Sequence, residues 1–362
     1  MSLKKIAQLA ETSVSTVSRV LNDPAHRCHN PGLTEKIWQI ADSLHYVPNP
    51  AARRLRLGSS DKIEPFTVDL FLARFDSIDK DPFFRELFWY LKEELIQHNC
   101  LLGEIQNPID MANLPNSNAA PEHVPYKPMQ KVLSEKTKNA LAFIARKPNT
   151  GLLILGKCPP ELVPIVKKRY SFLVGIDRNP TEYEFDEVVC NGQAAAELAV
   201  EHLIRLGHEN IAYIGDCTYE TRYIGYYQAL INHKISLNYE NIYPTDQTQE
   251  QGFHAMTALL SSSRRPTAIF CANDSTALGV LNALKRHKKK GYFPSIISID
   301  NINDSQKTVP MLTTIDIPKK EMGHLALMLL LDRKNGGHHE NVRLELPCRL
   351  IERDSCTNPP HK

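Results

Sequence analysis

Long apolar runs are missing from this 362-residue chain. The longest, Leu325 to Leu331, is about a third of what a bilayer span needs, and the amino end lacks an apolar signal core. Membrane and exported classes are therefore not expected, and a soluble, cytoplasmic protein is. Cysteine is sparse and scattered: Cys28, Cys100, Cys158, Cys190, Cys217, Cys271, Cys348 and Cys356 form no C-x-x-C pair, which fits reduced thiols and argues against a disulfide scaffold or a zinc knuckle. There is no G-x-S-x-G elbow, no Walker loop, no G-x-G-x-x-G after a strand and no H-E-x-x-H. No enzyme is expected, and no cofactor or metal. The pair His338-His339 lies in a polar stretch that reads as a surface turn. Net charge is only +2, but residues 1–60 carry eight Lys/Arg against four Asp/Glu, a mild basic bias at the amino end.

What is present suits two or three globular modules, with 42% hydrophobic and 23% charged residues. Ser2 is placed to cap a helix in which Leu3, Ile6, Ala7, Leu9 and Ala10 form one apolar stripe. Ser13 is placed to cap a second, with Val17, Val20 and Leu21 inward and Val14, Ser15, Thr16, Ser18 and Arg19 elsewhere. A third stretch opening at Thr34 carries Ile37, Trp38, Ile40, Ala41 and Leu44, enough to close a three-helix core. Two short helices with a tight turn make a helix-turn-helix, and the second would offer small residues and an arginine to a major groove. There Arg19 suits guanine, Ser15 either partner and Val14 a thymine methyl. From the pattern alone, a plain helical hairpin with solvated hydroxyls stays open.

Residues 48–60 add a second signal. Asn49 reads as a cap, Pro50 as a first-turn residue and Gly58 as a stop, around the basic stretch Arg53-Arg54-Leu55-Arg56. A helix this short is marginal in water, so it is expected to fold only with a partner or on DNA. Beyond it, strand-like runs (66–72, 100–105, 151–155, 172–176, 211–214, 268–271, 296–299) alternate with helical stretches (84–98, 194–206, 224–233, 253–261, 275–287, 319–331). That order predicts parallel sheets wrapped by helices in two lobes, with a ligand cleft at the strands' carboxyl ends.

Ser13-Val14-Ser15-Thr16-Val17-Ser18-Arg19-Val20-Leu21-Asn22, followed by Tyr46-Val47-Pro48-Asn49-Pro50-Ala51-Ala52-Arg53-Arg54-Leu55, resembles the head and hinge of the lac repressor (LacI/GalR) family of bacterial transcription regulators. The likeness continues through Asp81-Pro82-Phe83-Phe84, residues 202–208, Arg222 with Gly225-Tyr226, residues 266–279 and Leu312-Thr313-Thr314-Ile315. It breaks at residues 107–150, a Pro- and Asn-containing insertion. Two departures stand in the head: Glu11 replaces the family's turn glycine where a positive φ is expected, and His45 replaces the glycine before the tyrosine.

The resemblance implies an α/β chain: a three-helix DNA-binding head (1–47), a hinge helix and linker (48–60), and a two-lobed periplasmic-binding-protein-like core for effector binding and dimerisation (61–362). It implies DNA contacts from Val14, Ser15, Thr16, Ser18 and Arg19 and, in the hinge, from Asn49, Ala52, Arg53 and Leu55, the last as a minor-groove wedge. Carried over in the same way, the effector residues are Phe83, Phe84, Asp177, Arg222, Asn273 and Asp300; the phenylalanines could supply a ring-facing surface for a sugar, with one of the adjacent pair expected to turn into the core, and the planar polar groups would pair with its hydroxyls. Asp274 reads as the cap of the helix that follows it, and Gln247 stands where relatives often carry an aromatic side chain.

The implied function is a repressor of a carbohydrate-use operon, controlled by a small sugar-like effector; the context of Phe83-Phe84 and residues 151–157 is similar to a subgroup governing galactoside use. The implied partners are palindromic operator DNA, the effector and a second copy of the chain, since one head reads only a half-site. No leucine heptad tail follows Asp354, so a tetramer through such a tail is not expected. The rival from another class, a sugar-binding module of the periplasmic receptor type, predicts an export signal and no helical head. An enzyme acting on sugars is the second rival.

Overall fold

The computed structural model describes residues 3–22, 31–44, 65–73, 78–106, 147–177, 184–218, 220–261, 265–287 and 292–359. The expectations for His45, for the hinge with Asn49, Ala52, Arg53 and Leu55, and for most of the 107–150 insertion lie outside them.

The head holds α1 (Leu3–Leu9), α2 (Val14–Asn22) and α3 (Pro31–Ser43). Ile6, Ala7, Ala10, Val17, Leu21, Ile37 and Ala41 make its buried core, with Trp38, Ile40 and Leu44 packed against it. Leu9, expected in the stripe, is 44% exposed because the helix ends there. The third helix opens three residues before Thr34, on Pro31, whose ring φ suits a first turn and whose missing N–H is no loss there. Glu11 takes the expected left-handed conformation, φ 54°, in the turn between α1 and α2.

The core repeats one topology twice. The first lobe holds β1 (Phe66–Leu72), β2 (Cys100–Gln106), β3 (Lys147–Leu155), β4 (Tyr170–Asp177), β5 (Asp186–Cys190) and, from far along the chain, β11 (Arg343–Leu346). Their order is β11-β5-β4-β3-β1-β2. The second lobe holds β6 (Ile211–Gly215), β7 (Ile242–Pro244), β8 (Ala268–Cys271), β9 (Ser295–Asp300), β10 (Thr313–Asp316) and β12 (Arg349–Ile351), ordered β12-β10-β9-β8-β6-β7. Among the described residues every pairing is parallel except β10 with β12. Strand order reverses between β1 and β3 and between β6 and β8, so both lobes place a topological switch point at their carboxyl ends.

The helices are α4 (Pro82–Gln97), α5 (Val163–Arg169), α6 (Gly192–Arg205), α7 (Thr221–Asn232), α8 (Gln249–Ser261), α9 (Asp274–His287) and α10 (Lys319–Lys334). The chain passes between lobes three times: from β5 into α6, from β10 into α10, and from β11 into β12. Helix α10 returns to the first lobe and lies along α4, where Met322, Ala326, Leu327 and Leu330 share a core with Leu87 and Leu91. His338 is only partly exposed rather than a surface residue, because both its nitrogens meet carboxylates, Asp332 at 2.6 Å and Asp186 at 2.8 Å; His339 is exposed as expected. The cysteines among the described residues are free thiols.

Helices α8 and α9 cross at two glycines. A Cβ on Gly279 would sit 2.0 Å from the Gln249 carbonyl oxygen, and one on Gly252 2.2 Å from that of Thr276. Since both obstacles are backbone, Gly279→Ala should destabilise the protein by about 1–3 kcal/mol through overpacking. Urea denaturation checks this, and an unchanged midpoint would show that the helices part freely.

Candidate functional site

The first candidate surface is α2. Ser13 caps it, its Oγ accepting from the Thr16 amide at 3.0 Å, so the first turn of α2 is held open to its outer side. Val17 and Leu21 are buried, whereas Val14, Ser15 and Arg19 are exposed and Thr16 and Ser18 lie part-way. The Ser13 hydroxyl meets those of Ser15 and Thr16 at 2.7 and 2.8 Å, and Arg19 Nε donates back to the Ser15 carbonyl at 3.3 Å. One helix edge thus carries hydroxyls, a small apolar side chain and a guanidinium together.

The second is the cleft end of the second lobe. Arg222 lies in the first turn of α7, not on the preceding loop as expected, and is completely buried. Its Nε and one terminal nitrogen donate to the two Glu220 oxygens at 2.8 and 2.9 Å; Nη2 also reaches Gln247 Oε1 at 2.7 Å, and Nη1 the Ala272 carbonyl at 2.8 Å. Burial works against this charge, but Glu220 and the nearby Asp300 carboxylate hold it above its ordinary pKa. Gln247, in a left-handed conformation at φ 62°, accepts at its carbonyl from Asn273 Nδ2. Asn273 Oδ1 in turn accepts from the Thr276 amide and hydroxyl. The capping role expected of Asp274 therefore belongs to Asn273.

Asp274 does something else. Fully buried, it accepts from the Ser298 and Thr314 hydroxyls at one oxygen and from the Ile302 amide at the other, tying α9 to β9, β10 and the loop between them. Asp300 closes β9 with φ 124°, followed by Asn301 at φ 48°; neighbouring left-handed residues at a strand end are conformations that surrounding contacts must hold.

Here those contacts come from Lys319, which opens α10. Its Nζ donates to the carbonyls of Asp300 and Asn301, lies 3.5 Å from Glu86 and sits 5.6 Å from the centre of the Phe83 ring. Lys319 and Glu86, both buried, are site residues the sequence reading missed. A lysine at the positive end of a helix dipole was the available signal, since it needs a compensating carboxylate. The next link is Asn303, whose amide donates to Glu86 at 2.7 Å and whose side chain donates to Glu35 of α3 at 3.1 Å.

In the first lobe both Phe83 and Phe84 turn inward, where only one of the pair is expected to, so neither presents an open ring face. Asp81 caps α4 by accepting from both their amides, and the rings, 1% and 3% exposed, pack edge to face at 5.1 Å within the core. Asp177 ends β4 and lines a small cavity with Gly156, Cys158, Gly175 and Phe185. Arg222, Asn273 and Gln247 are thus one hydrogen-bonded group with Asp300 electrostatically beside it, while Asp177 and the two phenylalanines stand on the facing lobe. A larger cavity, lined by Asn210, Tyr226, Ser236 and Asn241, includes Ile211 at the amino end of β6, away from these groups.

A helix-turn-helix head on two switch-point lobes with polar side chains at their carboxyl ends is the architecture of a ligand-responsive DNA-binding protein. Residues 2–49 match the family described as bacterial regulatory proteins, lacI family, and residues 200–356 match the periplasmic binding protein-like domain. The chain is 28% identical over 376 residues to the HTH-type transcriptional repressor PurR of Erwinia tasmaniensis, an alignment covering 100% of this chain and 98% of that one. Among solved structures it resembles the transcriptional regulator CelR in complex with cellobiose (TM-score 0.66, 22% identity, 98% of this chain and 100% of that chain). It also resembles the lac repressor dimer bound to operator and the anti-inducer ONPF (TM-score 0.62, 20% identity, 99% of each). The chain belongs to the lacI family of bacterial regulatory proteins, and is a DNA-binding transcriptional repressor with a ligand-binding core. The proteins of that family are regulators, not enzymes. Among the described residues no helix is long and apolar enough to cross a membrane.

The buried Asp274 gives the site a pH signature. Burial, and next the charge of Asp300, push its carboxyl up to about 7 against the pull of its three hydrogen bonds. Because the folded state holds this proton more tightly than the unfolded chain, its contribution to stability is complete below about pH 4 and disappears as the pH rises to about 7. Asp274→Asn should therefore show a flatter fall in urea midpoint between pH 4 and 7 than the parent protein. Parallel profiles would mean that Asp274 keeps an ordinary pKa.

Proposed function

We propose that the chain is a homodimeric repressor of carbohydrate-use genes whose effector is a sugar, with a galactoside as the specific candidate. The observation that carries this is the buried group at the ends of β6, β8 and β9: a guanidinium, two carboxamides and a carboxylate, all planar groups able to pair with adjacent hydroxyls. Phe83 and Phe84 are buried and Gln247 replaces an aromatic side chain, so this group offers hydrogen bonds more readily than an open stacking face. The cellobiose bound by CelR supports the sugar reading. The name PurR favours a second reading, a purine, for which a planar stacking partner would be needed.

DNA contact is assigned to Val14, Ser15, Thr16, Ser18 and Arg19, and in the hinge to Asn49, Ala52, Arg53 and Leu55. The boundaries 1–47, 48–60 and 61–362 separate reading head, hinge and effector core. A two-fold operator requires two heads, which the lac repressor dimer on its operator supports for this chain. Control is by linkage: effector entering the cleft competes for the partners of Arg222, the Lys319 bridge between lobes shifts, and the hinges lose their footing on DNA.

A thermal-shift screen of galactosides, glucosides, cellobiose, ribose, hypoxanthine and guanine tests the effector class, because a ligand of the folded state stabilises by mass action. A sugar should raise the melting temperature; a shift with the purines alone would overturn the sugar reading. Arg222→Ala would take the counter-cation from the buried Glu220 carboxylate, a loss of about 3–5 kcal/mol, so the sharper variant is Arg222→Lys. It keeps the charge without the fork, and should hold operator affinity while weakening the effector at least tenfold.

Base reading is tested by gel shift on operator variants. Arg19→Ala should relax preference at one base pair per half-site by about 1–3 kcal/mol. Leu55→Ala should weaken specific binding and spare nonspecific binding. An Arg19→Ala protein with unchanged preference would remove that residue from the reading set.

A further inference from the structure

Away from the cleft, α4 and α10 bring three metal-ligating side chains to one point. Glu94 lies in the last turn of α4 and His98 one turn later, at i and i+4, so both face α10. His324 comes from the second turn of α10. Glu94 Oε2 lies 2.8 Å from His324 Nδ1 and 3.6 Å from His98 Nε2, and all three donor atoms are within 4.8 Å of one another. The carboxylate is almost buried, at 8% exposure, whereas the two imidazoles are 34% and 45% exposed. The rings do not stack; their centroids are 6.3 Å apart at 50°.

We propose that Glu94, His98 and His324 form a site for a divalent transition-metal ion of the zinc class. Zinc binds imidazole nitrogen and carboxylate oxygen at about 2.0–2.2 Å, and donors on a tetrahedron of that radius lie about 3.4 Å apart. The observed separations bracket that value, so small side-chain rotations would close the set around an ion. Two neutral imidazoles and one carboxylate leave a single negative charge, which suits a dication, and solvent on the imidazole side provides both an entry path and a fourth ligand. Without an ion the same atoms can only share one carboxylate oxygen between two rings.

The location gives the ion a consequence. Helix α4 begins at Asp81-Pro82-Phe83-Phe84 and carries Glu86, and α10 begins at Lys319, the lysine bonded to Glu86 and to the Asp300 carbonyl. An ion at Glu94, His98 and His324 would pin these two helices together downstream of the interlobe bridge. The sequence reading expected no metal, since Glu94 and His324 lie 230 positions apart and only the fold joins them.

The experiment is isothermal titration of ZnCl2 into full-length, tag-free, chelator-stripped protein, with Co2+ absorption as a second readout of coordination. The parent protein should bind one ion per chain at this site and gain thermal stability on binding. His324→Ala and, separately, His98→Ala, which is at the helix end and perturbs packing least, should each weaken binding more than the roughly 10–100-fold that loss of a supporting group costs. Absence of zinc binding in the parent at about 100 μM would overturn the proposal. So would zinc binding as tight as the parent's in both variants, which would assign the zinc to other histidines.

Discussion

A single buried cation organises the ligand end of this repressor. Arg222 is wholly enclosed, and a charge in that position is tolerated only if its donors are matched. The matching groups come from three separate junctions: Glu220 before α7, Gln247 before α8 and the Ala272 carbonyl after β8. Asn273 then closes the ring by bonding the Gln247 carbonyl while capping α9. Each junction is held in place by the same guanidinium, so none moves alone. A ligand that takes one of these partners must repay it with an equivalent group or disturb all three.

The second constraint lies between the lobes. Lys319 stands at the start of α10, where the helix dipole opposes a positive charge, and it is kept there by Glu86 and two carbonyls. Those carbonyls belong to Asp300 and Asn301, whose left-handed backbone places them toward the crossover. Glu86 is itself pushed upward in pKa by burial and pulled back by Lys319 and the Asn303 amide. Cleft, crossover and first-lobe helix therefore meet in one polar cluster. From Asn303 the same cluster reaches Glu35 in the head.

Much of the fold was legible because its elements are long and periodic. The seven expected strands and six expected core helices all form, with ends displaced by a few residues where caps decide them. The five unread strands fall into two groups. β5 opens on two carboxylates, Asp186 and Glu187, which interrupt an apolar strand pattern, and Arg333, His338 and Arg343 neutralise them from segments about 150 residues later. β7, β10, β11 and β12 have three or four residues each, too few for a period to show. In the site, Arg222 and Asn273 share one hydrogen-bonded group with Asp300 beside it, and what surrounds them was not legible in the sequence. The choice between Asn273 and Asp274 as cap depends on where Ser298 and Thr314 lie, and the burial of both phenylalanines depends on α10.

Whether such a network can drive a switch is a question of magnitudes. Allosteric coupling between two sites is typically about 1–3 kcal/mol. A net hydrogen bond to a charged group contributes about 1.5–3 kcal/mol and a neutral one about 0.5–1.5. Exchanging one bond of Arg222, or one of the carbonyls held by Lys319, is therefore already of the size required. No large rearrangement of the lobes has to be invoked: the ligand needs only to favour one arrangement of these few donors.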